Sequence, residues 1–303
     1  MHTVEHPFLR FRYTSKAIRG SIASVMPLPF TLSFEFFPPK NDIGREALLA
    51  AASALVALKP EFVTVTFGAG GSTKSGTFET AQILQRETGL KVGAHLSYFG
   101  IPKSELFAYA DTLWENDIRH LVALRGDIPT GQHPADFREP DYFEYTSEFV
   151  EALLARHPFD ISVGAYPEKH PDAPSLAADL VALQKKCDAG AARAITQFFF
   201  ETPTFAHFMD EVRAAGITTP IVPGLLPVSD LAKVCSFAEK CRAHIPATLK
   251  EIFTEGDDPL RVGAEFLARQ ISELRGTGVT HFHFYTLNKA DMILSALNHI
   301  KGL

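Results

Sequence analysis

One acidic residue inside an apolar, aromatic run constrains this chain more than any other feature of its sequence. The run Leu32-Ser-Phe-Glu-Phe-Phe-Pro-Pro-Lys40 is typical of a buried β-strand with Glu35 near its end. Because side chains alternate faces along a strand, Glu35 points away from Phe34 and Phe36. Burying a lone carboxyl costs free energy and raises its pKa. The pattern predicts either a general acid that keeps its proton near neutral pH or a glutamate held in a buried salt bridge.

The overall composition excludes several classes of function. The chain has 303 residues, enough for a large core and near the upper end of a single domain. Its net charge of −6 leaves no basic excess to neutralise phosphates, which argues against a nucleic-acid partner. No apolar stretch approaches the ~20 residues needed to span a bilayer. The N-terminus also lacks the apolar core of a signal peptide, so we expect a cytoplasmic protein without a membrane partner.

Cysteine and histidine usage indicates no metal site or disulfide framework. Cys187, Cys235 and Cys241 form no C-x-x-C pair, and we interpret all three as small buried apolar residues. His281 and His283 would lie on one face of a strand, where two imidazoles could begin a metal site. No third ligand is recognisable, which favours ordinary hydrogen-bonded histidines.

Short β-branched or aromatic runs alternate with longer amphipathic stretches throughout the chain. The expected strands are residues 30–37, 62–67, 92–96, 120–124, 161–165, 194–199, 221–225 and 280–285. Between them, helical spacing of apolar residues is clear in 45–58, 104–116, 176–189 and 205–215, and extra helical material fills 247–275. The eight β–α units predict a parallel sheet covered by helices.

Eight such units are the number that closes a (β/α)₈ TIM barrel, and the chain length suits one. The alternative, an open doubly wound sheet, would normally carry a Gly-rich nucleotide fingerprint after its first strand, and this chain has none there. We therefore predict an α/β fold with a single barrel over residues 30–303. Residues 1–29 are an N-terminal extension to which we assign no role.

Unusual polar residues collect at the carboxyl ends of the expected strands, where the active sites of such barrels lie. They are Glu35, Thr66, His95, Arg125, Asp127, Tyr166, Gln197 and Asn288. A barrel with a purely structural role gives no reason for these residues to converge on one mouth. The pattern therefore predicts an enzyme.

Two charged pairs near this mouth have both a functional and a structural interpretation. Arg125 and Asp127 flank Gly126, so they could face a flat ligand that the glycine backbone approaches closely, or form a local ion pair. Asp179 and Lys186 lie two helical turns apart and share a face. They could bind the phosphates and sugar hydroxyls of a cofactor, or belong to a solvated charged surface.

Seven blocks of the sequence, in order, resemble the methylenetetrahydrofolate reductase family. The blocks are Ser33-Phe-Glu-Phe-Phe-Pro-Pro39, Val65-Thr-Phe-Gly-Ala69, Val122-Ala-Leu-Arg-Gly-Asp127, Ala165-Tyr-Pro-Glu168, Ala194-Ile-Thr-Gln-Phe-Phe-Phe200, Pro223-Gly-Leu-Leu-Pro-Val228 and His283-Phe-Tyr-Thr-Leu-Asn288. The resemblance implies a flavin-containing barrel that reversibly reduces 5,10-methylenetetrahydrofolate to 5-methyltetrahydrofolate. Hydride would pass from NADH or NADPH, through bound FAD, to the folate.

The same resemblance implies roles for individual residues. Glu35 matches the family's general acid, and Asp127 matches a carboxylate near flavin and folate that stabilises a cationic folate intermediate. The positions that match FAD contacts are Thr66, Phe67, Ala69, His95, Arg125, Gly126, Asp127, Tyr166, His170, Asp179, Lys185 and Lys186. The positions expected at the folate or nicotinamide are Gln197, Lys233, Phe237 and Lys289.

Several positions depart from the family pattern. Lys289 replaces an arginine that is frequent in bacterial relatives, and Lys233 replaces a glutamine, so contacts with the folate would be rearranged. Ala182 replaces an asparagine that often contacts FAD. The loop 137–145 also differs from the family pattern, which leaves open whether Tyr145 and Thr146 contact the flavin.

The resemblance also bears on regulation and assembly. The chain ends soon after the last barrel helix, so we expect no S-adenosylmethionine-sensing domain and no feedback by that ligand. Family members of this size are often dimers or tetramers, which implies a homo-oligomer. Two competing interpretations remain: a flavin-free barrel lyase or aldolase, and a folate-binding or methyl-carrier barrel without redox chemistry.

Overall fold

The computed structural model of the chain describes residues 28–67, 74–128, 131–138, 140–253 and 258–300. Nearly all of the expected N-terminal extension lies outside these residues, and so does Ala69. Within the described ranges, no helix is both long enough and apolar enough to cross a membrane.

The described strands form one nine-stranded sheet in which every pairing is parallel. They are β1 (Thr31–Phe36), β2 (Phe62–Val65), β3 (Val92–Ser97), β4 (His120–Leu124), β5 (Asp160–Ala165), β6 (Arg193–Thr196), β7 (Ile221–Val222), β8 (Gly224–Leu225) and β9 (His281–Tyr285). Along the sheet the order is β7-β6-β5-β4-β3-β2-β1-β9-β8.

The two shortest strands are halves of the seventh strand of a barrel. Strand β7 pairs with β6, and β8 pairs with β9, so the sheet closes around Pro223 between the halves. Proline has no N–H to donate to a ladder, which explains the break. The predicted (β/α)₈ barrel is confirmed, and the open doubly wound sheet is wrong.

Helices follow the strands around the outside of the barrel. They are α1 (Asp42–Val56), α2 (Lys74–Thr88), α3 (Lys103–Glu115), α4 (Thr146–Arg156), α5 (Leu176–Asp188), α6 (Thr202–Ala214), α7 (Leu231–Cys241), α8 (Ala247–Glu251), α9 (Pro259–Gly276) and α10 (Asp291–His299). Helix α5 begins after Ser175, whose hydroxyl accepts a hydrogen bond from the N–H of Ala178. This cap fixes where the helix starts, and helices α8 and α9 fill the extra helical region.

The two faces of β1 meet different surroundings. Phe34 and Phe36 are fully buried between the sheet and the outer helices, where Phe34 packs against Phe284 of β9 at 6.0 Å between ring centres. Each buried phenylalanine contributes about 1.5–3 kcal/mol to folding. The opposite face carries Ser33 and Glu35 into the barrel interior. The alternation predicted for this strand is confirmed.

Helix α7 buries few of its residues. Of its eleven residues only Val234 and Ala238 are buried. Cys235 and Cys241 on this helix are half-buried, whereas Cys187 on α5 is buried. The expectation that all three cysteines are core residues is therefore wrong for the two on α7, because much of that helix faces solvent.

Candidate active site

Glu35 lies inside the barrel near the carboxyl end of β1. The strand register places it beside Thr64 of β2 and Tyr285 of β9. Only 9% of its side chain is exposed, and its Oε2 atom is 3.3 Å from Nε2 of His95 on β3. A second imidazole, that of His283, has its Nε2 atom 3.8 Å from the same oxygen. The carboxyl is thus surrounded by titratable but uncharged partners.

Burial sets the protonation of this group. Loss of hydration raises the pKa of Glu35 above its ordinary value, and the nearby His95 only partly opposes this. Burial lowers the pKa of His95, with Glu35 acting in the opposite direction. In the pair we therefore place the proton on the carboxyl and leave the imidazole neutral. Of the two interpretations from sequence, these pKa directions favour the protonated acid over the charged salt bridge.

Below Glu35 a column of polar groups continues along the barrel axis. The hydroxyl of Ser33 lies 2.9 Å from Nε2 of His281 and 2.8 Å from Nδ1 of His283. Both imidazoles therefore lie on one face of β9, as predicted, and both are within hydrogen-bonding distance of a side chain of β1. Burial lowers the pKa of His283 to about 3. Among the described residues, no cluster of histidine, cysteine and acidic side chains suits a metal ion.

The amino-terminal end of the barrel is closed by ion pairs. Arg193 donates two hydrogen bonds to Asp160, at 2.8 and 3.1 Å, and also lies 3.8 Å from Glu61. Its guanidinium carbon is 5.1 Å from the ring centre of Phe62. We call this group of side chains the barrel floor. None of these floor residues was singled out from sequence, because their pairing joins three separate strands or loops.

The carboxyl end, or mouth, gathers several predicted residues. Asp127 is exposed in the loop after β4, and Tyr166 follows β5. Burial raises the pKa of Tyr166 to about 12, with smaller effects from Asp179, Arg125 and Asp127. Burial likewise raises the pKa of Cys241 to about 11, with Asp127 and Glu35 adding to the shift. Asp127 and Glu35 both act on the thiol of Cys241, which places the two carboxyl groups near one another at this end of the barrel.

Two glycines allow close packing at the mouth. Gly126 has φ of +87°, and a Cβ there would lie 2.8 Å from Cβ of Ser97. At Gly224 a Cβ would lie 2.2 Å from the carbonyl oxygen of Thr196. The same carbonyl accepts a 2.6 Å hydrogen bond from the hydroxyl of Tyr285. A side chain at either glycine would displace a wall of the site.

A cleft of about 470 Å³ opens beside the mouth, between the ends of β4 and β5 and helix α5. It brings together six of the positions predicted to bind FAD: Arg125, Tyr166, His170, Asp179, Lys185 and Lys186. Ala182, which departs from the family pattern, and Tyr145, whose contact with the flavin was left open, also line the cleft.

Asp179 and Lys186, which share a face of α5, both line this cleft. Asp179 is buried, and its Oδ2 atom accepts a 2.7 Å hydrogen bond from the backbone N–H of His170. Its Oδ1 atom has no hydrogen-bond partner among the described residues. Lys186 is partly buried, donates to the carbonyl of Gly164, and has a pKa lowered by burial and partly restored by Asp179. The cleft thus offers an open acceptor and an ammonium group on one helix.

Arg125 also lines the cleft, but its partner differs from the local one considered above. Its Nη2 atom donates a 2.7 Å hydrogen bond to Oδ2 of Asp172, and the other oxygen of Asp172 lies 3.2 Å from Arg242. The local ion pair between Arg125 and Asp127 is therefore wrong. Gly126 turns the chain sharply at positive φ, which separates the two flanking side chains. Sequence analysis missed Asp172, whose role depends on a contact 47 residues away.

The positions expected at the folate or nicotinamide are spread around the mouth. Gln197 follows β6, and its Oε1 atom accepts a hydrogen bond from the N–H of Phe198. Phe237 on α7 stacks on the ring of Phe198, with centres 5.5 Å apart. Lys233 is exposed and pairs with Asp230 at 2.9 Å, and Lys289 is exposed after β9.

Two further positions predicted to contact FAD follow β2 and do not line the cleft. Thr66 is half-buried, and its carbonyl accepts a 2.9 Å hydrogen bond from the hydroxyl of Thr77. Phe67 packs edge-on against Tyr109 of α3, with ring centres 6.3 Å apart. Both lie at the same end of the barrel as Glu35, across the mouth from the cleft.

The fold and this site define a (β/α)₈-barrel enzyme with a buried acid at its mouth. The model of the methylenetetrahydrofolate reductase family matches residues 24–301. The chain is 40% identical over 291 residues to 5,10-methylenetetrahydrofolate reductase of Escherichia coli K12, and the match covers 95% of each chain. The Salmonella typhimurium enzyme is 39% identical over 292 residues, covering 95% of this chain and 96% of that one. The chain belongs to the methylenetetrahydrofolate reductase family and is an oxidoreductase.

A solved structure supports the fold. An uncharacterized protein from Clostridium thermocellum, which binds two copies of 5-methyl-5,6,7,8-tetrahydrofolic acid, superposes with a TM-score of 0.61. The two chains are 11% identical, and the match covers 89% of this chain and 95% of that chain. At this level of identity the likeness establishes the shared barrel and nothing about ligands.

Proposed function

We propose that this enzyme reduces 5,10-methylenetetrahydrofolate to 5-methyltetrahydrofolate with FAD bound in the α5 cleft and a nicotinamide as electron donor. Family membership supports the folate reaction. The observation that carries the proposal is a buried Glu35, whose pKa burial raises, at the same barrel mouth as a cleft lined by six of the positions predicted to bind FAD. A lyase or a simple folate carrier would not require both a buried acid and this cleft at one barrel mouth.

The residues of the cleft fit FAD. The unpaired Oδ1 of Asp179 is a buried acceptor that suits a ribose or ribityl hydroxyl, and the ammonium of Lys186 and guanidinium of Arg125 suit phosphate oxygens. Lys185 and His170 extend this set along the cleft. When bound, FAD supplies the hydride-transfer chemistry, and the protein supplies binding, orientation and electrostatics.

Glu35 acts as the general acid in this proposal. Its carboxyl keeps a proton near neutral pH because burial disfavours the charged form. It donates that proton to a folate nitrogen, which opens the five-membered ring of the substrate to a cationic iminium. Asp127, exposed at the same mouth, stabilises that positive charge with its carboxylate. The neutral imidazole of His95 holds the Glu35 carboxyl in place.

The proposal is tested by the visible spectrum of the purified protein under anaerobic conditions. We expect a flavin spectrum that bleaches when 5-methyltetrahydrofolate is added and, in a separate sample, when NADH or NADPH is added. Bleaching by the folate alone would retain the folate chemistry and reject the nicotinamide donor. If the protein neither contains flavin nor takes up added FAD, the redox proposal fails and a folate-binding barrel becomes the better interpretation.

The cofactor site has its own test. Lys186→Met keeps the length of the side chain and removes the ammonium, and we expect FAD affinity to fall about tenfold, which corresponds to roughly 1.4 kcal/mol. Flavin fluorescence on titration of the flavin-free protein measures this. Lys250→Met, on the exposed surface of α8, is the matched control. Equal affinities in the two variants would remove Lys186 from the flavin site.

A further inference from the structure

The polar column below Glu35 reaches solvent at the opposite end of the barrel. Nδ1 of His281 lies 3.6 Å from Oε2 of Glu61, and the side chain of Glu61 is 41% exposed. From there the exposed fraction falls to 15% at His281 and to 1% at His283. Ser33, fully buried, connects the two imidazoles. One continuous series of side chains that can exchange protons thus joins bulk water to Glu35.

We propose that Glu61 and His281 form a proton inlet at the barrel floor, which recharges Glu35 through Ser33 and His283. This rests on the proposed function, in which Glu35 gives its proton to the folate at each turnover. The two longer gaps, 3.6 Å at Glu61 and 3.8 Å between His283 and Glu35, are each within reach of a small side-chain rotation or one bridging water.

In the proposed transfer one proton enters the column at His281 and one proton leaves it at Glu35. Nδ1 of His281 takes a proton that the Glu61 carboxylate relays from water, and its Nε2–H is passed to the hydroxyl of Ser33. Ser33 passes its own proton to Nδ1 of His283, and the Nε2–H of His283 goes to the Glu35 carboxylate. Each imidazole ends as its other tautomer and no net charge remains inside the barrel. Before the next transfer each imidazole returns to its starting tautomer by taking up a proton at Nε2 and releasing the one on Nδ1.

Neutral imidazoles are required for this transfer, since each must hold one donor and one acceptor nitrogen. Burial, with His283 and Arg193, lowers the pKa of His281 to about 4, and burial alone lowers that of His283. Both rings are therefore uncharged at neutral pH.

The floor is the route that stays open when the mouth is filled. Bound flavin and a folate or nicotinamide would cover the carboxyl ends of the strands, so water would not reach Glu35 from that side. Phe34 and Phe36, fully buried on the other face of β1, block a path through the wall. The interior of the barrel also holds the apolar side chains of Phe62, Ile195 and Val222.

The test separates the first turnover from later ones. His281→Gln keeps an amide near Ser33 but cannot exchange tautomers, and Glu61→Gln removes the carboxylate that relays a proton from water to His281. Because Glu35 starts protonated, we expect the first oxidation of reduced flavin by methylenetetrahydrofolate to proceed at the wild-type rate. The steady-state rate should fall about tenfold, less than for loss of a direct acid–base group, because the mouth admits water between ligands. His207→Gln, on the exposed side of α6, is the control.

A second measurement uses the flavin-free protein. The ring N–H of His283, followed by nitrogen-15 NMR, should exchange with solvent more slowly in His281→Gln than in wild type or in the His207→Gln control. A purely structural role of His281 would slow the first turnover as well, and that result would overturn the inlet. Unchanged steady-state rate and unchanged exchange would also overturn it. Failure of the proposed function is distinct, because the wild-type protein would then show no oxidation of reduced flavin by methylenetetrahydrofolate.

Discussion

The two ends of the barrel interior hold carboxyl groups in opposite ways. At the floor, Asp160 and Glu61 meet the guanidinium of Arg193, which carries a permanent positive charge. Near the mouth, Glu35 lies beside the imidazoles of His95 and His283. The floor carboxylates are also nearly half-exposed, whereas Glu35 is buried.

This difference teaches what converts a barrel carboxylate into an acid. A permanent cation within reach stabilises the charged form, so floor residues serve as structural ion pairs. Where burial is deeper and the neighbours can themselves lose charge, the cheaper state is a neutral pair with the proton on the carboxyl. In the proposed function the same residue type is therefore a structural charge at one end and a proton donor at the other.

Removing the mouth carboxyl should have the largest effect. In Glu35→Gln we expect the folate half-reaction to slow by about 10²–10⁴-fold, the range for a lost general acid, because the amide has no proton to give. Reduction of the flavin by a nicotinamide should be unchanged, since it needs no acid. Stopped-flow absorbance of each half-reaction measures this. Equal losses in both half-reactions would make Glu35 a structural residue.

Giving the mouth a permanent cation should erase the difference between the ends. In His95→Lys the ammonium would lie beside Glu35 and lower its pKa, because an opposite charge within about 4–6 Å favours the carboxylate by 1–3 pK units. We expect the folate half-reaction at neutral pH to slow about tenfold or more and to recover as the pH is lowered.

The matched variant His95→Gln removes the imidazole without adding charge. Any loss that it shares with His95→Lys reports the imidazole itself, including a contact with FAD. Thermal unfolding of both variants shows whether each remains folded. If the two variants have the same pH profile, charge at this position does not control Glu35.

Weakening the floor should affect stability and leave the first turnover intact. In Arg193→Met we expect the free energy of unfolding to fall by about 1–2 kcal/mol, because Asp160 and Glu61 lose their charged partner but remain partly hydrated. Arg193→Lys, which keeps the charge and loses the two-pronged geometry, should cost less. Urea unfolding of the flavin-free proteins measures both. A slowed first turnover in Arg193→Met would show that floor and mouth are not separate.

Much of the fold could be predicted because it depends on local patterns. Strand β4 begins and ends at the predicted residues, since a short apolar run has no competing helical period. Strand β6 ends at Thr196, three residues before its predicted end, because the apolar Phe198 and Phe199 pack in the loop that follows. Pro223 lies inside the predicted strand 221–225, but the prediction did not divide the strand at this proline.

The site was only partly predictable, for a physical reason. Glu35 stands out because a carboxyl in an apolar run is costly wherever the strand pairs. Asp172 and Arg193 act through partners far away in sequence, and no local pattern specifies those contacts. Ser33 and His283 become neighbours only through the register of β1 on β9. The sequence signal for this contact was that each residue alternates with phenylalanines along its strand, which places both side chains on the inward face.

The protonation of Glu35 is the central claim, and the pH dependence of stability tests it most directly. The folded-state pKa is raised above the ordinary value of 4.5, so the folded protein binds the proton more tightly than the unfolded chain. The stability that this proton contributes is present below that value and is lost as pH rises through the folded pKa. Relative to wild type, Glu35→Gln should therefore gain stability with rising pH, by up to about 1.4 kcal/mol per unit. A relative loss of stability with rising pH would mean a charged Glu35 paired with a charged His95, and would contradict the account.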